Sequence, residues 1–175
     1  MKTSENKKHS EDYFGEPRNF WWNQDYLELI AKRTGLNQCH KMLDVGCGVG
    51  YWSRLLAPFL CEDATMTGID QEVSWVKKCA ETQFARPAHF QVGDAQNLSF
   101  ANESFDLVTC QTVLMHLKDP KAALTEFHRV LKPGGVLLIA EPNTSGAAAV
   151  RSNIDRTLSI QEQLLISELD MTCNR

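Results

Sequence analysis

A glycine-rich segment, residues 42–50, offers the clearest chemistry in this sequence. It reads Met-Leu-Asp-Val-Gly-Cys-Gly-Val-Gly, an apolar run containing Asp44 followed by three alternating glycines. The apolar part predicts a buried parallel strand, and glycines let the backbone turn sharply and approach a ligand without an intervening Cβ. Twenty residues after Gly50, a second apolar run ends in Asp70. An acid at this distance suits the hydroxyls of a ribose, so the two segments predict a nucleoside site.

The spacing of the glycines argues against a dinucleotide site. Such sites use the pattern G-x-G-x-x-G, in which a pyrophosphate sits at a helix N-terminus. Here the glycines follow one another at positions 46, 48 and 50, and G-x-G-x-x-G is absent from the sequence. We therefore expect a nucleoside ligand without a pyrophosphate, and a nicotinamide-dependent oxidoreductase is the less favoured alternative.

Over residues 41–143 the sequence resembles the class I S-adenosylmethionine-dependent methyltransferases. Besides the glycines, four segments agree with that family in order and spacing: 68–70 (Gly-Ile-Asp), 93–95 (Gly-Asp-Ala), 104–108 (Ser-Phe-Asp-Leu-Val) and 129–135 (Arg-Val-Leu-Lys-Pro-Gly-Gly). The resemblance implies an α/β fold, a Rossmann-like, doubly wound, mostly parallel sheet with helices on both faces. It also implies S-adenosylmethionine as cofactor, S-adenosylhomocysteine as product, and methyl transfer to a small-molecule acceptor by in-line displacement.

The resemblance gives roles to the residues of the glycine loop (residues 46–50) and to the acid before it. Backbone groups of Gly46, Cys47 and Gly48 would meet the methionine end of the cofactor, within a loop that Gly50 completes. Asp44 would orient the loop or reach the cofactor amino group through water; alternatively, it fixes only the loop's own amides.

The ribose and adenine would be held by residues that follow the next two strands. Asp70 would accept both ribose hydroxyls, since a carboxylate has two acceptor oxygens, or else it caps a helix. Asp94 would accept from the adenine amine while the amide of Ala95 donates to a ring nitrogen; the alternative is that Asp94 only forms a turn. Gln71 stands where the family usually has an apolar residue against the adenine, so its side chain stacks there or turns outward.

Two residues that follow the fourth predicted strand, residues 105–110, complete the candidate site. Gln111 would contact the methionine end, because ligands bind at the carboxyl ends of the strands in open α/β folds. His116 is the catalytic candidate, since histidine takes a proton near neutral pH. It would be a general base, a wall of the acceptor site or a packing residue, because holding the acceptor in line and excluding water can supply most of the acceleration.

Apolar runs and turn residues predict the elements that position these side chains. Strands are expected at 41–45, 65–69, 88–92, 105–110 and 136–140, and helices at 51–60, 72–84 and 120–131. Residues 1–12 are predicted to be a disordered tail. Residues 13–40 are predicted to be an aromatic and helical segment, in which the helix ends near Gly35. Residues 41–143 form the cofactor-binding core.

The C-terminal part, residues 144–175, is expected to be helical, with the helix at 152–169. The family normally adds two more strands after the fifth, and we see no sequence for them, so we expect a truncated or shortened chain. A bare strand edge invites pairing. We therefore expect a homo-oligomer through that edge, or a helix that covers it; a non-catalytic cofactor-binding domain is the alternative function.

Aromatic side chains crowd into the segment before the first predicted helix. Phe14, Phe20, Trp21 and Trp22 lie within nine residues of one another. They would form either a hydrophobic plug under the helix or a lid over cofactor and substrate.

Composition and charge exclude several other classes. The net charge is −4 and no block of Lys and Arg occurs, so a nucleic-acid partner is not expected. The residues after strand four, 110–113, also lack the Asn/Asp-Pro-Pro-aromatic signature of methylases that act on nucleic-acid amino groups. No apolar run predicts a membrane span or a signal peptide. The six cysteines are scattered without a C-x-x-C motif, so we expect free thiols in a cytoplasmic protein, with no disulfide framework and no zinc site.

Overall fold

The structure is a computed structural model that describes the backbone of residues 22–143 and 146–153 and the side chains of residues 22–141. Helices and strands alternate along this part of the chain. They are α1 (Gln24–Thr34), β1 (Lys41–Val45), α2 (Tyr51–Leu56), β2 (Thr65–Asp70), α3 (Val73–Ala80), β3 (Ala88–Val92), β4 (Phe105–Gln111), α4 (Pro120–Val130), β5 (Leu131–Asn143) and β6 (Gly146–Asn153), with 3-10 turns at Leu36–Gln38, Ala57–Phe59 and Leu114–His116.

The strands form one sheet in the order β3-β2-β1-β4-β5-β6. The first five are parallel, and β6 runs antiparallel to β5. The strand order reverses between β1 and β4, and in such sheets ligands bind at this switch point, outside the carboxyl ends of the strands. The predicted Rossmann-like, doubly wound sheet is therefore confirmed.

Helices cover both faces of the sheet, and β1 shows the division most clearly. Met42 belongs to a core cluster with Leu27 of α1 and with Trp52 of α2. Leu43 belongs to a second cluster on the opposite face, together with Phe127 of α4. This alternation holds the sheet rigid between two apolar layers, which fixes the positions of the loops at its edges. No helix among the described residues is long and apolar enough to cross a membrane.

Helix α1 begins and ends at the residues that its sequence indicates. The side chain of Asn23 accepts from the backbone N–H of Asp25 at 2.7 Å, and Gly35 ends the helix in the left-handed conformation with φ 67°. Just before the helix, Trp22 packs against Trp52 with ring centroids 4.5 Å apart. Trp22 thus lies against the core, as a plug would. The other aromatic residues of the predicted lid, residues 14, 20 and 21, lie outside the described residues.

Two elements differ from their predicted bounds for local reasons. Helix α2 ends at Leu56 and continues as a 3-10 turn, because Pro58 cannot donate the next helical hydrogen bond. Strand β5 begins at Leu131 rather than at residue 136. Leu131 pairs with Phe105, and the register shifts before the pairing resumes between Val136 and Leu107. The intervening Lys-Pro-Gly-Gly segment is thus an irregularity within the strand rather than a turn before it.

The C-terminal part contains a strand where the sequence analysis expects none. Residues 146–153 form β6, so the first two residues of the helix predicted at 152–169 lie in a strand, and the rest lie outside the described residues. The pairing of β6 along β5, from Asn143 with Gly146 to Val136 with Asn153, satisfies backbone groups that a bare edge would leave open. The expected homo-oligomer depended on an unpaired edge of β5, and in this structure β6 occupies that edge.

Candidate functional site

The amides of the glycine loop after β1 point into the protein. The N–H groups of Gly46 and Cys47 both donate to the carbonyl of Ile69 in β2, at 2.8 and 2.9 Å, and the N–H of Gly48 donates to Oδ2 of Asp70 at 2.9 Å. Three successive donors are therefore used within the chain. The loop therefore does not offer a ligand a cradle of three successive N–H groups, so it is poorly suited to an anionic group.

The three glycines of this loop serve different purposes. All have positive φ, at 69° for Gly46, 54° for Gly48 and 80° for Gly50. A Cβ on Gly46 would lie 2.4 Å from Val113, and one on Gly50 would lie 2.7 Å from Phe84, so these two glycines allow close packing within the protein. A Cβ on Gly48 would meet nothing within 4 Å among the residues that the structure describes. Only at Gly48 does the missing side chain leave room for a ligand.

Asp44 is fully buried at the end of β1 and faces the first turn of α2. The hydroxyl of Ser53 donates to its Oδ2 at 2.6 Å. Burial raises the pKa of this carboxyl to about 7, although the hydroxyl and backbone N–H of Ser53 oppose the shift. Its other oxygen, Oδ1, has no hydrogen-bond partner among the described residues. The protein's own carboxyl group thus takes the anion position at the helix N-terminus.

Asp70, at the end of β2, clamps the glycine loop. Its Oδ2 accepts from Gly48, and its Oδ1 accepts from the N–H of Glu72 at 2.9 Å. Burial raises its pKa. Asp70 does not cap α3; Glu72 is the N-cap, and its own side chain accepts from Ser74. Since each carboxylate oxygen can accept a second hydrogen bond, both remain able to receive a ribose hydroxyl.

Gln111 lies buried at the end of β4 with an unsatisfied amide. It is 5% exposed, and neither its Oε1 nor its Nε2 has a hydrogen-bond partner among the described residues. The next residue, Thr112, has a φ of 54°, a left-handed conformation that is costly for a β-branched side chain. A buried amide with no partner and a strained neighbour both favour a ligand-contacting position.

Glu141 is a candidate that the sequence analysis missed. Its Oε1 accepts from the N–H groups of Val113 and Leu114, at 2.7 and 2.9 Å, and so holds the loop after β4. Its Oε2 is buried and has no partner within the described part of the chain. The available signal was an acid directly after the apolar run of β5, which is the relation that Asp70 has to β2.

On the predicted adenine side, Asp94 makes the hydrogen bond of a turn-forming residue. Asp94 is exposed, and its Oδ1 accepts from the N–H of Gln96 at 2.9 Å, as a turn-forming aspartate does. Ala95 is buried in the core cluster beside α4, and Gln71 is exposed. The outward position of Gln71 agrees with one of its two predicted orientations.

His116 ends the 3-10 turn after β4 and is exposed. Its backbone N–H donates to the carbonyl of Val113 at 2.9 Å, which fixes the turn. The neighbouring Met115 is 59% exposed, so both side chains face away from the core. This exposure disfavours the packing role for His116 and leaves the general base and the wall of the acceptor site.

The site residues therefore fall into two groups along the carboxyl edge of the sheet. Asp44, Gln111 and Glu141 lie near the carboxyl ends of the neighbouring strands β1, β4 and β5, and each holds at least one buried polar atom without a partner in the described residues. Asp70 and Asp94 follow β2 and β3. The first group can bind a polar, charged ligand end, because leaving such atoms unpaired costs about 1–3 kcal/mol each.

Comparison with known proteins shows the family of the chain. The family model described as a methyltransferase domain matches residues 43–139, more than half of the chain. Demethylmenaquinone methyltransferase of Staphylococcus aureus is 35% identical over 120 residues, which are 66% of this chain and 48% of that protein. The uncharacterized methyltransferase YcgJ of Bacillus subtilis is 30% identical over 115 residues, 66% of this chain and 46% of that protein.

Solved structures show the same fold. The crystal structure of YcgJ has a TM-score of 0.58 and 28% identity, covering 69% of this chain and 51% of that one. A SAM-dependent methyltransferase from Aquifex aeolicus has a TM-score of 0.65 at 20% identity, covering 75% of this chain and 71% of that one, and supports the fold alone. The chain spans about half the length of the curated relatives it matches. By sequence and by fold, it belongs to the methyltransferase domain family.

Proposed function

We propose that this chain binds S-adenosylmethionine at the carboxyl edge of its sheet and transfers the methyl group to a small molecule. The observation that carries the proposal is the set of buried polar atoms at Asp44, Gln111 and Glu141 that have no partner in the part of the chain that the structure describes. Native proteins rarely bury unsatisfied polar groups unless a ligand, a water or a catalytic role uses them. Their place at the switch point of the sheet is where such folds bind ligands.

The charges around the glycine loop suit the amino-acid end of this cofactor. The loop amides are turned inward, and the nearby acid is Asp44, so the groups available to a ligand are oxygen acceptors. An ammonium group needs such acceptors. The amide of Gln111 supplies both a donor and an acceptor, so it can serve the carboxylate or the ammonium. Asp70 is then available to the ribose, and Asp94 to the adenine amine.

The same features argue against a nicotinamide dinucleotide. A pyrophosphate needs free N–H groups at the start of a helix. In this chain the amides of Gly46, Cys47 and Gly48 donate within the protein. The carboxyl of Asp44 also lies at the first turn of α2, where its ionised form would repel a phosphate.

When bound, S-adenosylmethionine supplies a methyl group already activated by its sulfonium charge. The chain's residues then have to align the acceptor, exclude water and accept a proton where the acceptor carries one. His116 and Met115 are the exposed side chains of the turn after β4, on the ligand side of the sheet. We assign His116 to the acceptor side, as a wall or a general base.

The acceptor class rests on relatives and on charge. The matched Staphylococcus aureus protein is named for demethylmenaquinone, an apolar small molecule. The net charge of −4 gives little electrostatic support for a nucleic-acid acceptor. A quinone precursor or another small apolar metabolite is therefore the first acceptor class to test.

The proposal separates into binding and turnover. Titration calorimetry should show binding of S-adenosylhomocysteine and none of NAD. Transfer of labelled methyl from S-adenosylmethionine to a panel of hydroxylated quinone precursors should then be measured for the chain and for His116→Gln. Binding without turnover of any acceptor would favour a non-catalytic cofactor-binding domain. Binding of NAD in preference to S-adenosylhomocysteine would overturn the proposal.

A further inference from the structure

A second cluster of chemically capable side chains lies at the opposite edge of the sheet. His40 directly precedes β1, and Cys61 and Asp63 lie in the turn before β2. One ring nitrogen, the thiol sulfur and one carboxylate oxygen of these residues all lie within 4.8 Å of one another. The Nδ1 of His40 is 2.7 Å from Oδ1 of Asp63. The cluster is remote from the carboxyl ends of the strands, so the proposed methyl-transfer site does not use it.

The backbone that carries these residues is fixed by hydrogen bonds on every side. The carbonyl of His40 accepts from Thr65 at 2.8 Å, in register with the start of β2. The carbonyl of Cys61 accepts from the N–H of Ala64 at 3.0 Å and from Nε of Arg86 at 2.7 Å. The first contact closes the turn, and the second ties it to the segment before β3. The backbone positions of these residues are thus set before any ligand arrives, which lowers the entropy cost of binding.

The chemistry of the cluster matches a transition-metal ion of the zinc type. Imidazole, thiolate and carboxylate form a mixed nitrogen, sulfur and oxygen set, whereas calcium and magnesium prefer oxygen alone. An aspartate carboxyl such as that of Asp63 is ionised at neutral pH. With Cys61 as a thiolate, the two negative charges balance a divalent cation. The side chains of His40 and Asp63 are 54% and 72% exposed, which leaves a coordination position for water.

We propose that His40, Cys61 and Asp63 bind one zinc-type divalent ion through Nδ1, Sγ and a carboxylate oxygen. Cys61 gives its proton to the buffer and binds as a thiolate. The imidazole carries its remaining proton on Nε2, and a water completes four-coordination. The ion would join the start of β1 to the turn before β2. The proposal departs from the sequence expectation of no zinc site, which rested on the missing C-x-x-C motif, because the fold brings these three side chains together from separate segments.

Cobalt provides the direct test, because a cysteine thiolate bound to Co²⁺ absorbs in the near ultraviolet. Co²⁺ titrated into the metal-free 175-residue chain should produce this charge-transfer band, and Zn²⁺ should remove it. Cys61→Ser should abolish the band, and His40→Gln and Asp63→Asn should each weaken binding at least tenfold. Zn²⁺ should also raise the melting temperature of the unmodified chain but not that of Cys61→Ser, because an ion that binds only the folded state stabilises it.

Matched variants make the result specific. Glu62→Gln changes a carboxylate in the same turn, His89→Gln an exposed histidine on β3, and Cys173→Ser a thiol outside the described residues. All three should retain the band and the affinity within twofold. Circular dichroism of each variant without metal checks its fold. The proposal is overturned if no thiolate band forms, if Cys173→Ser removes it, or if Glu62→Gln weakens binding as much as Asp63→Asn.

Discussion

A single methyl group added at Gly48 tests the cofactor site most sharply. A Cβ there would meet no atom of the described residues within 4 Å, but it would project into the space that we assign to the ligand. Gly134 is a matched position elsewhere in the fold. It has a φ of 74°, against 54° at Gly48, and a Cβ on Gly134 would also meet nothing within 4 Å. Gly48→Ala and Gly134→Ala therefore impose the same kind of backbone strain, and only one of them touches the proposed site.

The glycine-to-alanine variants should differ in how much they lower the free energy of unfolding and how much they lower the affinity for the cofactor product. Alanine in the left-handed region costs about 1–2 kcal/mol, so Gly48→Ala and Gly134→Ala should lower the free energy of unfolding by similar amounts. Gly46→Ala and Gly50→Ala should cost more, because the new Cβ would lie 2.4 Å from Val113 and 2.7 Å from Phe84. Affinity for S-adenosylhomocysteine should fall at least tenfold in Gly48→Ala, which corresponds to about 1.4 kcal/mol. It should stay unchanged in Gly134→Ala.

Chemical denaturation and titration calorimetry measure the two quantities independently. Calorimetry should be run at a temperature where both variants are fully folded, so that a loss of affinity cannot come from unfolded protein. Unchanged affinity in Gly48→Ala would refute the assignment of the open space to the ligand. An equal loss of affinity in Gly134→Ala would show that backbone strain, and not contact with the ligand, weakens binding.

Three further predictions concern the acids and the amide of the site. Gln111→Met should raise the free energy of unfolding of the ligand-free chain by about 1–3 kcal/mol and weaken S-adenosylhomocysteine binding, because it removes unsatisfied buried atoms. Thr109→Val, which breaks satisfied bonds on the same strand, should destabilise instead, and a destabilised Gln111→Met would contradict the reasoning. Burial raises the pKa of Asp44 in the folded chain to about 7, from an ordinary value of 3.8, so the native state binds an extra proton between these pH values. The free energy of unfolding should therefore fall as pH rises through this window, by at most about 4 kcal/mol, and then level off; an Asp44→Asn variant with an undiminished slope would refute this. Asp70→Asn should lower the affinity for S-adenosylhomocysteine more than the affinity for an analogue without ribose hydroxyls. Equal losses of affinity in calorimetry would show that Asp70 only holds the backbone of Gly48.

Local sequence patterns predicted much of the sheet. Strands β1 and β3 have their predicted bounds, Lys41–Val45 and Ala88–Val92, because each is an apolar or alternating run between turn residues. Gly35 ends α1 as predicted, because only a left-handed residue fits there. Strand β5 begins earlier than predicted, since the pairing of Leu131 with Phe105 is a contact across 26 residues that no local pattern reports.

The sequence predicted several residues of the candidate site, but not the direction in which the amides of the glycine loop point. Alternating glycines indicate a loop that approaches a ligand, but they do not say which way the amides point. That direction depends on the carbonyl of Ile69 and the carboxylate of Asp70, which reach the loop only once β2 lies beside β1. Glu141 was missed for the same reason, because its hydrogen bonds to Val113 and Leu114 link residues that are far apart in the sequence.

The direction of the amides decides which ligands this glycine loop can serve. A loop that turns its N–H groups outward at a helix N-terminus forms an anion site, and phosphates bind there. In this loop the same N–H groups point inward and donate to acceptors of β2. The carboxyl of Asp44 lies at the start of α2. The Oδ1 of Asp44 and the Oε2 of Glu141 are buried acceptors without partners among the described residues, and Gly48 leaves room beside the loop. The glycine pattern alone is thus shared by two classes of cofactor site, and the hydrogen bonds of Gly46, Cys47 and Gly48 favour the class whose ligand is a cation.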